Sequence, residues 1–356
     1  VGILSDKYGV RKITFIGMIF ISMGSLIFAL ATGAVTAYLA RLLIGIGSAT
    51  FFVSTLRVIA NWYPPESFTK LLGWTSLIGT SGALLAATPF SLLLNLIDWR
   101  NSFKIFALLS LFIAFLIWAF VRDNPAQLGI EVNFGSQQEN RSFKEIILGM
   151  STLVTSRQFW YYFMIAFIIM GSLMSLSGLW LVPYMTHVYE LSRNAAANFV
   201  VVITLGMLLG SALLGWAENK IGDRIKMIRL TAIINLLIWS YVIFIFQARL
   251  PFSQLIIVLF LMGFIGMFIL TSFANIKKMF PELKGSATGL INLSPFLGTI
   301  VFNFLLGWRL DATWEGEIIA GSRAYTLTGY RQGFIIIFIF SLVALFLSWQ
   351  LERVED

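Results

Sequence analysis

Ten stretches of this chain are each long and apolar enough to cross a bilayer as a helix, and that leaves few other ways to fold it. A hydrocarbon core about 30 Å thick takes roughly 20 residues of helix. The stretches 13–31, 34–60, 69–96, 101–121, 158–186, 193–217, 226–247, 252–279, 285–308 and 330–350 reach that length. None alternates with a period of two, so helices are expected and a membrane barrel is not. With 58% hydrophobic and 12% charged residues, and a mean hydropathy of +0.86, the chain falls outside the range of soluble globular domains.

The charged residues give orientation and exclude several functions. Seventeen of the 25 Lys and Arg fall on the side holding both termini and the loops after every second span, seven fall on the other, and Arg41 sits within a span. By the positive-inside rule the first side is cytoplasmic. The net charge of +8 is spread between apolar spans rather than gathered in a patch, so no nucleic-acid partner is expected. A membrane-embedded enzyme needs clustered Asp, Glu or His at one face. Here the one histidine is His187 and no carboxylate falls inside the ten spans. No enzymatic activity, metal or cofactor is therefore expected, and without cysteine there is no disulfide.

The chain is also duplicated. Gly2 to Lys12 (GILSDKYGVRK) returns as Gly215 to Ile225 (GWAENKIGDRI) at an offset of 213, keeping both glycines, the lysine and the arginine. Pro65-Glu66 returns as Pro281-Glu282, Gly73 as Gly289 and Gly82 as Gly298. Trp99-Arg100-Asn101-Ser102-Phe103 returns as Tyr330-Arg331-Gln332-Gly333-Phe334. Between the copies, 122–156 is polar and reads as a cytoplasmic linker whose Phe143 to Val154 part could form an interfacial helix. Two spans precede the second turn and none precedes the first. Symmetry then expects two helices to be missing before Gly2, and a whole protein of two six-helix bundles related by an axis along the membrane normal.

These features carry a resemblance. Gly2-x-x-x-Asp6-Lys7-x-Gly9-x-Arg11-Lys12 at the turn, Arg41-x-x-x-Gly45-x-Gly47 in the second span, and the glycine-rich third span resemble the major facilitator superfamily over essentially the whole chain. The resemblance implies an all-α membrane protein with ten transmembrane helices present. The N-terminal bundle would be 1–121, the linker 122–156 and the C-terminal bundle 157–356. It also implies alternating access, with Gly2, Asp6, Gly9, Arg11 and Lys12, and in the second copy Gly215, Gly222 and Arg224, as a conformational latch. A carboxylate near a helix N-terminus gains ~0.3–1 kcal/mol when exposed, and the start of the helix at Gly285 is the expected partner of Asp6. The second copy has Asn219 where the acid should stand, so its latch is expected to differ.

Candidate substrate or coupling residues are Arg41, Trp180, Tyr184, Asn275 and Asn292. An arginine inside a membrane costs ~2.5–3.5 kcal/mol on insertion scales, so Arg41 should face a wet cavity or a partner; a structural bond to backbone carbonyls is the alternative. Trp180 and Tyr184, four apart on one helical face, would line the cavity or belong to an aromatic belt. Asn198, Asn292 and Asn303 read as buried amides serving substrate or helix pairing. His187 is either a proton relay or an interfacial residue.

Arg122-Asp123-Asn124-Pro125 with Gly129, and Asp98 to Phe103, resemble the branches carrying organic anions and sugar phosphates. The span 158–186 lacks the arginine of the phosphate-exchanging branch, which leaves a carboxylate or a neutral solute. A multidrug or metabolite exporter and a transporter-derived solute sensor are the alternatives. The expected setting is a monomer in a bacterial inner membrane, its partners a small solute, a coupling ion and the lipid bilayer.

Overall fold

The computed structural model describes residues 8–64, 88–129, 152–280, 283–319 and 322–352, with scattered positions between 67 and 86. Its helices are α1 (Val10–Ala29), α2 (Ala34–Trp62), α3 (Thr88–Leu96), α4 (Trp99–Phe120), α5 (Arg157–Val188), α6 (Arg193–Ile221), α7 (Arg224–Ile245), α8 (Phe252–Met279), α9 (Lys284–Ala312) and α10 (Leu327–Trp349). All but α3 are long and apolar enough to cross a membrane, which makes nine such helices among the described residues. Before Thr88 only scattered positions of the expected span 69–96 are described, and α3 is its continuously described end. The Phe143 to Val154 segment lies mostly outside the described residues. A two-stranded antiparallel hairpin, β1 (Ile318–Ile319) and β2 (Ser322–Arg323), joins α9 to α10.

The chain divides into two compact units. One takes Val1–Leu85 and Pro89–Glu139; the other takes Asn140–Asp356 with Ala86–Thr88. They are called unit 1 and unit 2 below.

Several helices are preceded by a polar residue that accepts from the orphan amides of the first turn. Asp98 accepts from the amide of Asn101 at 2.7 Å, and Ser156, Ser192 and Thr326 do the same for α5, α6 and α10 at 3.3 Å. At its far end α9 runs on to Ala312, which brings Asp311, expected in a loop, onto its last turn.

Three helices of unit 2 change pitch along their length. α5 passes through a π-helical segment at Leu176–Trp180, just before Pro183, whose missing amide and bulky ring disrupt the regular ladder. α7 ends in a π segment at Tyr241–Ile245, and α8 tightens to a 3-10 turn at Met267–Leu270.

Helices meet closely where glycines remove the side chain. A Cβ on Gly171 of α5 would stand 2.7 Å from Gly298 Cα on α9, and one on Gly298 would strike the Phe167 carbonyl. Gly206 and Gly263 bring α6 and α8 together in the same way, and Gly17 and Gly47 join α1 to α2. Gly45 has no neighbour within 4 Å, so only the second glycine of the Arg41 motif is needed for contact within unit 1. Gly298→Val should separate α5 from α9 and destabilise the protein by about 1–3 kcal/mol, as overpacking does. Gly215→Ala, at a site with nothing within 4 Å, should be near neutral. Thermal midpoints in one detergent compare the two.

Candidate functional site

Gly9, in the first copy of the duplicated turn, has φ 85°, a conformation that only glycine adopts freely. It precedes α1, whose N-cap position it occupies without a capping side chain. The cap comes from elsewhere: Asp123 Oδ1 accepts the backbone amide of Arg11 at 2.8 Å. A Cβ on Gly9 would stand 2.6 Å from Asp123 Oδ2, so the glycine also makes room for the carboxylate. Arg11 returns the favour at the end of α4. Its Nε donates to the Trp118 carbonyl at 2.9 Å, its Nη2 donates to the same oxygen, and its guanidinium lies 4.4 Å from the Trp118 ring centre.

The Arg122 to Asn124 loop binds α2 as well. Asn61 Nδ2 donates to the Asp123 carbonyl at 3.2 Å, and Trp62 Nε1 donates to the Arg122 carbonyl at 3.2 Å. One short loop thus ties the head of α1 and the tails of α2 and α4. Lys12 is exposed, and Gly2 and Asp6 lie outside the described residues.

The second copy solves the same problem differently. Gly222, at φ 70°, ends α6, and the next residue, Asp223, caps α7 by accepting from the amides of Ile225 and Lys226 at 2.9 and 3.1 Å. The first copy has Val10 at that place, and Asp123 supplies the missing carboxylate from a distance. Arg224 pairs with Glu218 at 3.7 Å, with side-chain exposures of 42% and 20%; a pair so exposed contributes little. Asn219 is exposed on α6.

The tail of α10 is held by Arg229. It donates through Nε to the Ser348 carbonyl at 3.0 Å and lies 4.9 Å from the Trp349 ring centre. Trp118 and Trp349 stand at the same offset of 231 as Trp99 and Tyr330, so that repeat could have flagged this contact. Arg11 and Arg229 are not repeat mates, which is why comparing the turns alone misses it.

Arg41 is exposed on α2 in unit 1, its guanidinium 4.6 Å from the Phe28 ring centre and 5.7 Å from that of Phe103. It makes no hydrogen bond or ion pair with another described residue. The other candidates are not brought together. Trp180 and Tyr184 are 9% and 3% exposed, buried within unit 2. Trp180 lies beside Gly307 and Tyr325, while Tyr184 donates its hydroxyl to the Ala248 carbonyl and packs on Tyr330 and Phe334. The two rings meet different partners although they stand four apart on one helix. Asn275, 5% exposed, donates to the Tyr162 hydroxyl at 3.3 Å. Asn198 and Asn292 are exposed rather than buried, on faces of α6 and α9 turned away from the core of unit 2. Asn303 is paired inside, accepting from Ser175 at 2.7 Å.

A family model described as Major Facilitator Superfamily matches residues 1–303 and 181–356. The chain is 27% identical over 126 residues to the hexuronate transporter of Bacillus subtilis (strain 168), covering 35% of this chain and 30% of that protein. It is 26% identical over 231 residues to the transporter YybO of the same organism, covering 61% of this chain and 51% of that protein, so it spans about half or less of these two relatives. Membrane sensor protein UhpC of Escherichia coli (strain K12) is 24% identical over 356 residues, covering 91% of this chain and 76% of that protein. In fold, the chain is similar to a bacterial homolog of the human lysosomal transporter Spinster in an inward-facing, unoccupied conformation (TM-score 0.72, 16% identity, 98% of this chain and 84% of that chain). It is also similar to the nucleoside transporter NupG (TM-score 0.70, 15% identity, 99% and 86%).

Asp123→Ala removes the acceptor at the head of α1 and should cost about 0.5–2 kcal/mol, read as a lower midpoint of tryptophan fluorescence on heating. Gly9→Ala should destabilise too, through backbone strain and collision with the same carboxylate. Two unchanged midpoints would mean that the turn is not held in this way.

Proposed function

The chain belongs to the Major Facilitator Superfamily, and from that premise we propose that it is a secondary transporter moving a small organic anion by alternating access. Arg41 carries the choice of cargo. Its guanidinium stacks on Phe28 and Phe103, which occupies the flat face and leaves the N–H edge free for a planar carboxylate. The same face of α2 presents Gly45, Ser48 and Phe52, all exposed in unit 1. The name of the hexuronate transporter points to the same chemistry.

In this reading the two bundles are 1–121 and 157–356, joined by the linker 122–156, in a bacterial inner membrane with both termini cytoplasmic. The turn Gly2 to Lys12 acts as the latch. The start of the helix at Gly285 is the proposed partner of Asp6, and Arg11 and Asp123 tie the head of α1 to the end of α4. Gly215, Gly222 and Arg224 form a weaker second latch, with Asp223 capping α7 in place of an acid at Asn219. Trp180, Tyr184 and Asn275, buried within unit 2, and Asn292, exposed on it, are the residues this unit offers to substrate or coupling. The protein works as a monomer without a cofactor, with an ion coupled to the solute.

The likeness to membrane sensor protein UhpC over 91% of the chain favours a second reading, a sensor that binds solute without moving it. Uptake of a radiolabelled hexuronate into proteoliposomes separates the two. A transporter accumulates label inside the vesicles, and a sensor binds it without uptake. Arg41→Lys, which keeps the charge but loses the planar fork, should cut uptake by about tenfold or more, as expected when a charge-assisted bond is lost. Full uptake by this variant would argue against carboxylate recognition by Arg41.

A further inference from the structure

His187, on the last turn of α5, is the one histidine in the chain. The backbone N–H of Tyr325, between β2 and α10, donates to its Nδ1 at 3.4 Å, and the Tyr330 hydroxyl of α10 lies 2.9 Å from the same nitrogen. The rings of Tyr325 and Tyr330 stand 5.9 and 6.1 Å from the imidazole, centre to centre. A backbone amide can only donate, so Nδ1 presents a lone pair and the ring's proton is on Nε2.

Tyr325 is anchored at its other end. Its hydroxyl donates to Asp311 Oδ1 at 2.8 Å, and that oxygen also accepts from Arg323 Nη1 at 2.8 Å. Three bonds thus pin the segment after the hairpin, two to α9 and one to α5. We propose that His187 is a proton-binding site that clasps this segment to α5 when empty and releases it when filled.

The proton comes from solvent and adds to the Nδ1 lone pair, giving an imidazolium that keeps its Nε2 proton. The new Nδ1–H finds an acceptor in the Tyr330 oxygen, whose hydroxyl hydrogen rotates away. The Tyr325 N–H then faces another N–H and has lost its acceptor. The two bonds to Asp311 remain, so the segment loosens at α5 and stays tied to α9.

The surroundings single out His187 as the titrating member. Glu317 on the hairpin side is the carboxylate whose field reaches the ring. Asp311 and Arg323 form an ion pair one residue further out. Burial and the bond to Asp311 push the Tyr325 phenol up to about 12, and the phenol of Tyr330 likewise belongs to a residue type that ordinarily titrates near ~10. Tyr184, one turn back on α5, has its hydroxyl committed to Ala248. An imidazole is the side chain that ordinarily changes charge between about pH 5 and 8. The proposal holds whatever solute the protein carries.

Because there is one histidine, its signal in the full chain needs no assignment. Nitrogen-15 NMR of histidine-labelled protein should show the Nε2–H tautomer at about pH 8 and a single titration by about pH 5. Over the same range, hydrogen exchange in peptides containing Tyr325, corrected for the intrinsic rate, should rise about two- to tenfold, the equivalent of one lost hydrogen bond. In His187→Gln, whose Oε1 can accept from Tyr325 at every pH, exchange should stay flat. An Nδ1–H tautomer at about pH 8, no titration in this range, or the same pH dependence of exchange in His187→Gln would overturn the proposal. The NMR measurement uses the unaltered protein, so a folding defect in the variant cannot mask the answer.

Discussion

A backbone N–H or C=O left without a partner in hydrocarbon costs several kcal/mol, and the rest of this structure follows from meeting that demand at helix ends. Within a helix the demand meets itself. At an end, four amides or four carbonyls need outside help. In unit 1, Asp123 serves the head of α1 while Arg11, from that same first turn, serves the tail of α4. Each of the two helices thus supplies or carries what the other lacks, and the contact fixes how they meet.

Unit 2 reaches the same end by other residues. Asp223 caps α7 from within its own turn, and Arg229, further along α7 than the mate of Arg11, reaches the last carbonyls of α10. What the duplication has kept is the interaction and its tryptophan, not the position of the arginine. A guanidinium on a long flexible stem can reach a helix end from either of two successive turns, whereas an indole it stacks on must stay on the final turn.

Spacing along one helix does not say what each side chain meets. Trp180 and Tyr184 are four apart, which puts them on one stripe, yet Trp180 packs beside α9 and Tyr184 enters the aromatic cluster with Tyr330 and Phe334. The polar residues of unit 2 divide for a related reason: Asn275 and Asn303 find hydroxyl partners inside the unit, while Asn198 and Asn292 face out. Type and spacing alone treat all four alike.

The sequence by itself determined that the chain spans a membrane, which of the described segments are helical, and that landmarks of the first half return in the second. These follow from transfer free energy and from short motifs, both summed over neighbouring residues and so legible without a fold. It also singled out Arg41, because a charge in an apolar run is anomalous wherever it ends up. Only the tertiary structure decided that Asp123 stands in for the cap absent at Val10, that Arg229 does the work of Arg11, and that His187 meets the amide of Tyr325. Each joins groups more than a hundred residues apart. A contact at that separation depends on how helices pack, and no local pattern in the chain encodes it.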